Sequence, residues 1–404
     1  TLAMAVTNPC RSQDALIWAY TPGVAVPSLY SEENPETADR YTAKAKLVGV
    51  ISNGTAVLGL GDIGALASKP VMEGKAILFK KFSDLDAYDI EVDTKDITRF
   101  CNVVEAIAPT FGGINLEDIK APECFEIEKR LVETLDIPVM HDDQHGTAVI
   151  SAAAIMNACL ITERQISESR VVIVGAGAAA ISCGRLYRHM GVKTIIMLDS
   201  KGVIHNGRDD INEYKQEFSL QVETSQKEAF TNADVVVGLS KPGSFTVDDI
   251  SHMRKDPIIF TLANPTPEIF PEDVRAARPD AIIATGRSDF PNQVNNVLGF
   301  PFIFRGAIDV RAKKINMEMK VAASEALANL ARQEVPEYIH HLYDTQIEFG
   351  REYLIPKPFD RRLIVEVSSA VEAAALHTGS STLSGFGISE YTEELPRGVC
   401  VDRD

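Results

Sequence analysis

Two pairs of adjacent acids, Glu117-Asp118 and Asp142-Asp143, are the residues whose types and spacing point most directly to chemistry. Each pair follows an apolar, strand-like run. Like charges so close together repel unless a cation or a proton lies between them, so the pairs are costly to build for structure alone. We therefore predict a functional site at these acids. The alternative for the first pair is that it caps the following helix, since acids stabilise a helix's first turn.

The spacing of the two pairs predicts where they lie in the fold. They are about 24 residues apart, which is the repeat of successive strand–helix units in a parallel sheet. The apolar run 102–109 leads to the first pair, a helix is predicted over 121–135, and residues 137–140 form the strand before the second pair. A small-residue helix should begin near Thr147. Both pairs should then meet at the carboxyl edge of one sheet, where such sheets bind ligands.

The segment 170–199 has the pattern of a dinucleotide-binding unit. An apolar strand runs into Gly175-Ala-Gly177-Ala-Ala-Ala180, a helix follows, and a second apolar run ends at Asp199. The glycines let the backbone approach a pyrophosphate at the helix N-terminus, and the terminal acid would accept hydrogen bonds from the adenosine ribose. This combination predicts a Rossmann-like, doubly wound α/β domain. The alternative is an α/β turn that binds no nucleotide.

Length and pattern predict two domains, because 404 residues are too many for one ordinary core. We place an N-terminal α/β domain at 1–148 and a nucleotide-binding domain with C-terminal helices at 149–379. Residues 380–404 are expected to form a loosely held polar tail. Within the first domain, residues 46–51 and 55–60 are predicted as two strands around a turn. An active site in the cleft between the domains would follow.

The composition disfavours several classes of partner. A formal net charge of −17 argues against nucleic acid and anionic membrane surfaces, because both require a basic face. No apolar run approaches the roughly 18 residues of a membrane span, and no signal peptide opens the chain. The six scattered cysteines form neither a zinc-ribbon spacing nor a disulfide framework. They predict reduced thiols and a cytoplasmic protein.

Seven ordered motifs resemble those of the malic enzymes, in particular the short form of bacteria and some protists. The resemblance covers about residues 15–378. The motifs are Tyr20-Thr-Pro-Gly-Val-Ala, Leu58-Gly-Leu-Gly-Asp-Ile-Gly, Met72-Glu-Gly-Lys-Ala, Leu116-Glu-Asp, His141-Asp-Asp-Gln-His-Gly-Thr-Ala, Ala263-Asn-Pro-Thr and Val294-Asn-Asn-Val. Seven motifs in order are far more specific than the dinucleotide pattern alone.

The resemblance implies oxidative decarboxylation of (S)-malate to pyruvate and CO2, with NAD or NADP and with Mg²⁺ or Mn²⁺. It also implies a homodimer or a higher even oligomer. By position, the implied metal ligands are Glu117, Asp118 and Asp143; the acid–base residues are Tyr20, Lys75 and Asp142; the cofactor contacts are Gly175, Gly177, Ala180, Asp199 and Asn264; and the substrate contacts are Asn264 and Asn296. Larger members have an arginine where Ala56 stands, so other groups must hold malate's carboxylate here.

The implied chemistry requires these residue types. Hard divalent cations prefer carboxylate oxygens, and three acids leave coordination positions for a 2-hydroxy acid. Hydride loss from C2 needs a base on the hydroxyl group. Lys75 is the candidate, its pKa lowered by the cation, with Asp142 positioning it or relaying the proton. The metal would polarise the C2 carbonyl for loss of CO2, and Tyr20, its pKa lowered by Lys75, would protonate C3.

Three other functions fit parts of the sequence. His141 and His145 are spaced like a zinc-protease pair, but a strand precedes them and Asp142 replaces the motif's glutamate, so we expect structural histidines. A nucleotide-binding sensor without catalysis is disfavoured by the intact acid set. A malolactic enzyme, which releases lactate and keeps NAD bound, would use the same machinery.

The choice between NAD and NADP stays open at this point. Asp199 would repel the 2′-phosphate of NADP and so favours NAD. Lys201, His205 and Arg208 lie close in sequence and could offset that repulsion.

Overall fold

Two β-sheets organise the chain, and helices pack on them. The computed structural model describes residues 2–6, 10–57, 59–381 and 383. The first sheet has four parallel strands in the order β2-β1-β3-β4, namely β1 (Leu47–Ser52), β2 (Asp86–Glu91), β3 (Gly113–Leu116) and β4 (Val139–His141). The second has the order β10-β9-β8-β5-β6-β7, namely β5 (Arg170–Val174), β6 (Thr194–Asp199), β7 (Gly202–Val203), β8 (Val235–Gly238), β9 (Ile258–Thr261) and β10 (Ile282–Thr285). Its strands are parallel except for β7.

The helices fall into two sequential groups. The first comprises α1 (Gln13–Ala19), α2 (Ala25–Glu33), α3 (Ala38–Tyr41), α4 (Ala65–Ser83), α5 (Ile97–Ile107) and α6 (Glu123–Thr134). The second comprises α7 (Asp142–Ile161), α8 (Ala178–His189), α9 (Glu213–Gln216), α10 (Gln226–Phe230), α11 (Val247–Ser251), α12 (Pro271–Ala277), α13 (Phe300–Asp309), α14 (Met317–Arg332), α15 (Glu337–Leu342) and α16 (Leu363–His377). Short 3₁₀ helices lie at Pro35–Thr37, Ala43–Lys46, Ala108–Thr110, Ile166–Glu168 and Asn296–Leu298.

The predicted α/β architecture with a Rossmann-like second unit is confirmed. In the second sheet, β5 has β6 on one side and β8 on the other. The strand order therefore reverses beside β5, and a doubly wound sheet binds its ligand in the crevice outside such a point. In the first sheet, β1 lies between β2 and β3, which creates a second reversal of the same kind.

Two predicted strands are wrong. The described residues of 55–60 form bends and a turn, because Gly59 and the following Gly61 adopt φ angles of 74° and 75°, which lie outside the range of a strand. Most of 102–109 belongs to α5, whose N-terminus is capped by Asp96 accepting from the Arg99 backbone N–H at 2.6 Å. The strand that reaches the first acid pair is β3.

The register of the first sheet brings the two acid pairs together. Leu116 at the end of β3 is opposite Ile51 of β1 and His141 of β4. Glu117 and Asp142 therefore follow the ends of neighbouring parallel strands. The prediction that both pairs meet at one carboxyl edge is confirmed.

Helix α7 starts at this edge and runs into the core. It begins at Asp142, five residues before the predicted start, so the second acid pair forms its first turn. Its most apolar 18-residue window is long and apolar enough to cross a membrane, but 72% of that window is buried inside the protein, as in a core helix. Helix α7 packs against α8 and α14. It passes through the predicted domain boundary at 148/149, which stays a prediction.

Beyond α16 the structure describes residues 378–381 and 383. Of the predicted polar tail, Ser380, Ser381 and Leu383 are described, and the Ser380 carbonyl accepts a hydrogen bond from the Lys313 backbone N–H at 2.8 Å. The rest of the predicted tail, including Cys400, lies outside the described residues. The remaining five cysteines are free thiols, namely Cys10, Cys101, Cys124, Cys159 and Cys183.

An aromatic cluster joins α4 of the first unit to α13 of the second. The ring centroid of Phe79 lies 4.8 Å from that of Phe300 and 5.5 Å from that of Phe304, both edge-on. All three rings are almost completely buried. Because Phe79 is one turn beyond Lys75 on α4, this cluster sets how far Lys75 projects towards the acid pairs.

Truncating this cluster should cost a large part of the folding stability. Phe304→Ala leaves a cavity between α4 and α13, and we expect a loss of about 3–5 kcal/mol in the free energy of unfolding. Phe359→Ala, at a ring that is 48% exposed, is the matched control and should cost about 1 kcal/mol or less. Urea unfolding measures both. Equal losses would contradict the role given to the buried cluster.

Candidate active site

A cleft of about 720 Å³ separates the carboxyl edges of the two sheets. The first unit contributes charged side chains to it, and the second contributes glycines and amides. One wall includes Lys75, Glu117, Asp118, Lys120 and Asp143. The other includes Gly177, Ser240, Asn264 and Asn296. The predicted cleft between the two units is therefore present.

The three predicted metal ligands converge in this cleft. Glu117, Asp118 and Asp143 each offer a carboxylate oxygen, and these oxygens lie within 4.8 Å of one another. The Asp118 backbone N–H donates to Asp143 Oδ2 at 2.7 Å, and a φ of 53° at Asp118 turns its side chain into the cluster. Asp118 Oδ2 is buried without a hydrogen-bond partner among the described residues. An all-oxygen donor set with an unsatisfied buried oxygen fits a hard divalent cation.

The electrostatics of the cluster favour a positive charge. Burial, together with the negative charges of Asp143 and Asp142, raises the pKa of Asp118 to about 8, against a smaller lowering by Lys75. Burial likewise raises the pKa of Glu117 well above its usual range, although Lys75 acts in the opposite direction. A bound divalent cation would remove this penalty.

Lys75 is the buried cation beside these acids. Its Nζ donates to Asp142 Oδ2 at 2.5 Å and to Glu117 Oε1 at 2.9 Å, and it lies 3.9 Å from the centroid of the Phe300 ring. Burial alone would lower the pKa of Lys75, but the charges of Asp142 and Glu117 outweigh it, and the pKa is raised. The lowered pKa of Lys75 that the sequence predicts would therefore require a bound cation, because a cation would offset the negative charges of these carboxylates.

Asn296 fixes the orientation of Asp142. Its Nδ2 donates to Asp142 Oδ2 at 3.1 Å, and its Oδ1 accepts from the Thr147 hydroxyl at 3.1 Å. Gly146 makes this approach possible, because a Cβ there would lie 2.1 Å from Asp142 Oδ1. The Asn296 amide, which was predicted to contact the substrate, therefore donates a hydrogen bond to Asp142, the partner of Lys75.

The nucleotide loop has the predicted geometry. Gly175 has a φ of 129°, and a Cβ there would lie 2.4 Å from the Leu239 carbonyl oxygen. Gly177 is the N-cap of α8, with no side-chain cap and nothing within 4 Å of a Cβ built on it. Ala180 is buried against the sheet. Open space at an uncapped helix N-terminus fits a pyrophosphate.

Asn264 and the loop around it are held by a buried acid that the sequence reasoning missed. Glu268 Oε1 accepts from the Ser240 backbone N–H at 3.0 Å, and its Oε2 accepts from the Ala263 backbone N–H at 3.2 Å. These bonds tie the segments after β8 and β9 together at the cleft. The signal in the sequence was an acid four residues after Asn264.

Asp199 lies at the end of β6, as predicted, but it is paired with cations of its own domain. Arg208 Nη2 and Lys215 Nζ contact Asp199 Oδ2 at 2.8 and 2.7 Å. Burial opposes ionisation, but these bonds outweigh it and hold the pKa of Asp199 down at about 2.

Tyr20 is the one predicted catalytic residue that lies apart from this cluster. It is 67% exposed at the end of α1, and it does not line the cleft. No residue of α1 or α2 is buried. Within one copy of the chain, the proposed proton donor and Lys75 are therefore not brought together.

His145 has structural contacts, as expected, whereas the ring nitrogens of His141 have no hydrogen-bond partner among the described residues, and its Nε2 lies 3.4 Å from Asp143 Oδ2. His145 Nε2 lies 2.9 Å from Glu128 Oε2, and its Nδ1 lies 3.0 Å from the Ser182 hydroxyl. His141 precedes α7 and is completely buried. Among the described residues, the cluster that can hold a metal consists of carboxylates only, which disfavours the zinc-protease reading.

Comparison with known proteins identifies related sequences over nearly the whole chain. Residues 1–132 match the family model "Malic enzyme, N-terminal domain", and residues 144–345 match "Malic enzyme, NAD binding domain". The NADP-dependent malic enzyme of Halomonas elongata is 53% identical over 94% of this chain and 90% of its own length. The probable NADP-dependent malic enzyme of Rickettsia prowazekii is 53% identical over 98% of this chain.

The chain spans about half the length of several of its curated relatives, 52% in the case of the Rickettsia protein. Among solved structures, the malic enzyme of Pyrococcus horikoshii superposes with a TM-score of 0.90 at 38% identity. That match covers 99% of this chain and 92% of the other.

Metal binding should release protons. At pH 7 most Asp118 side chains carry a proton, because their pKa is about 8, and a cation must displace it. Calorimetry with Mn²⁺ in buffers of different ionisation enthalpy should give at least about one proton per ion, and the apparent affinity should rise with pH up to about 8.

Asp118→Asn removes the titrating group and should weaken Mn²⁺ binding by at least about tenfold. Asp86→Asn, at an exposed acid outside the cleft, is the matched control and should behave like the parent protein. Binding without proton release, or unchanged binding by Asp118→Asn, would place the ion elsewhere.

Proposed function

Because the chain belongs to the malic enzyme family, we propose that it catalyses oxidative decarboxylation of (S)-malate to pyruvate and CO2, with reduction of NADP or NAD and with Mg²⁺ or Mn²⁺. One observation carries the proposal. Glu117, Asp118 and Asp143 converge beside Lys75 in a cleft whose opposite wall carries the loop at Gly177.

The cation and the dinucleotide would occupy separate places in this cleft. Glu117, Asp118 and Asp143 would hold the divalent cation, and the loop at Gly175 and Gly177 would hold the pyrophosphate of the dinucleotide. The cation would supply Lewis-acid polarisation of the oxygen on C2, and the nicotinamide would supply the acceptor for the hydride.

Lys75 removes the hydroxyl proton of malate. Its Nζ already lies within 2.9 Å of Glu117, so a substrate oxygen at the metal cluster lies within reach of the same amine. Asp142, hydrogen-bonded to Nζ and held by Asn296, accepts or returns the proton as Lys75 changes charge. Burial of Lys75, Glu117 and Asp142 protects this exchange from bulk water.

Malate's carboxylates need cationic or amide partners in place of the arginine that Ala56 replaces. Lys120 and Asn264 both line the cleft, as does Ala56 itself. Lys120 follows Asp118 by two residues, and its side chain is 44% exposed and paired with Glu123 at 3.0 Å. We assign Lys120 as the ion-pair partner of a substrate carboxylate, with Asn264 as a hydrogen-bond donor.

Tyr20 protonates C3 of the enol product from a second copy of the chain. Helices α1 and α2 expose an unusually large apolar surface, including Trp18, Tyr20 and Leu29, which are 77%, 67% and 60% exposed. A soluble protein covers such a surface with a partner. A homodimer that packs these helices against a partner's cleft would bring each Tyr20 to the partner's Lys75.

Turnover tests the proposal directly. Malate, Mn²⁺ and NADP or NAD should give the reduced cofactor and pyruvate in equal amounts, and Lys75→Ala should lower kcat by about 10²–10⁴-fold. Lys80→Ala, at an exposed lysine on the same helix, should keep the parent rate. Lactate without accumulation of the reduced cofactor would instead identify a malolactic enzyme. Full activity of Lys75→Ala would refute the assigned base.

Complementation tests whether Tyr20 acts between copies. Tyr20→Phe and Lys75→Ala should each be nearly inactive alone. If the two residues come from different copies, co-expressed mixtures contain heterodimers with one complete site, and about a quarter of the parent activity should return. Activity no higher than the two single variants together would place both residues in one copy or remove Tyr20 from the mechanism.

A further inference from the structure

The selection between NADP and NAD is determined beside Asp199, and the inference here rests on the proposed function. In a doubly wound sheet, the adenosine half of the dinucleotide lies over the carboxyl end of the second strand of the nucleotide unit. That strand is β6, and Asp199 is its last residue. An acid at this position favours NAD when its oxygens are available to the ribose hydroxyls.

The oxygens of Asp199 are already saturated. Oδ1 accepts from Arg208 Nη1 at 2.9 Å and from the Lys201 backbone N–H at 2.9 Å. Oδ2 accepts from Arg208 Nη2 at 2.8 Å and from Lys215 Nζ at 2.7 Å. A carboxylate offers about four lone-pair positions, so these four bonds leave none for a ribose hydroxyl.

The charge of Asp199 is also offset. Two cations contact it directly, Arg208 and Lys215, so the repulsion it would exert on a nearby phosphate is largely cancelled. Asp210 Oδ1 accepts from Arg208 Nε at 2.9 Å, and Asp210 Oδ2 lies 2.8 Å from Lys201 Nζ. With Lys201 included, three cations face two acids in this network.

Two cations of this network, Arg208 and Lys201, differ in exposure. The Arg208 side chain is 9% exposed and locked by bonds to both acids, whereas the Lys201 side chain is 65% exposed. Lys201 can therefore leave Asp210 and contact an incoming anion without loss of a buried bond. Asp209 and Glu223 line the adjoining hollow, so selection depends on a direct contact with Lys201 more than on the overall charge.

We propose that Lys201 recognises the 2′-phosphate of NADP, and that Arg208, by occupying Asp199, removes the preference for NAD which that acid would otherwise impose. Arg208 is thus a specificity-determining residue and Lys201 a direct phosphate ligand. The chain should select NADP over NAD.

Binding of nucleotide fragments tests this without turnover. Calorimetry compares adenosine 2′,5′-bisphosphate with adenosine 5′-monophosphate, which differ only in the 2′-phosphate. The intact chain should bind the bisphosphate at least about tenfold more tightly, since charge-assisted bonds to one phosphate are worth that much. The advantage should shrink as salt is raised. Equal binding, or tighter binding of the monophosphate, would overturn the proposal.

Two variants separate the two roles. Lys201→Gln should lower affinity for the bisphosphate by about fivefold or more and leave the monophosphate unchanged. Arg208→Gln should lose the bisphosphate and gain affinity for the monophosphate, because Asp199 is then free for the ribose. Lys255→Gln, at a side chain that is 89% exposed elsewhere on the domain, is the matched control.

The outcomes remain distinguishable from those of the proposed function. Equal effects of Lys201→Gln on both fragments would overturn the assignment of Lys201 as a phosphate ligand. If Arg208→Gln unfolds the loop, circular dichroism detects it, and Lys201→Gln still decides. Fragment binding as expected, in a protein that does not oxidise malate, would refute the proposed function and keep this inference.

Discussion

Four acids share one edge of the first sheet, and one buried ammonium group lies among them. Glu117, Asp118, Asp142 and Asp143 follow the ends of adjacent strands, whereas Lys75 is the cation that contacts two of them. Burial raises the pKa values of Glu117 and Asp118, and the excess of negative charge, which one ammonium group cannot balance, raises them further. This imbalance is tolerable in a folded protein when a further cation completes the site. Helix α4 carries Lys75 to this edge, and the first turn of α7 carries Asp142 and Asp143.

The two sheets divide the work of the site. The first delivers charge from strand ends and the first turn of α7, and the second delivers backbone and amide groups from β8, β9 and the turn at Asn296. The cluster around Phe79 and Phe300 joins the two units, and Glu268 ties the segments after β8 and β9 of the second sheet to each other. Fixed positions matter for the side chains that act on the substrate, because a misplacement of about 1 Å can lower the catalytic rate by about a hundredfold.

The sequence predicted those parts of the site that depend on local pattern. The strand, glycines and helix at 170–190 and the spacing of the acid pairs are set by backbone geometry, which neighbouring residues reveal. The strands predicted at 55–60 and 102–109 failed because apolar runs are compatible with turns and helices. Asp96 capping and glycines with positive φ decided those segments.

Other features depended on residues distant in sequence. Saturation of Asp199 requires Arg208 and Lys215 to fold back onto β6, which the acid itself does not indicate. The exposure of Tyr20 reflects how α1 packs, a tertiary property that its turn motif does not contain. Motif position therefore predicted that the acids and Lys75 lie together, but it did not predict the partners of Asp199 or the location of Tyr20.

The location of the metal is the most direct test of the central claim. Crystals grown with Mn²⁺ can be measured at an X-ray wavelength where manganese scatters anomalously. The arrangement described here predicts one strong anomalous peak bounded by Glu117, Asp118 and Asp143, within reach of the Lys75 amine. A peak at another cluster, or a cleft without manganese under conditions that support turnover, would contradict it.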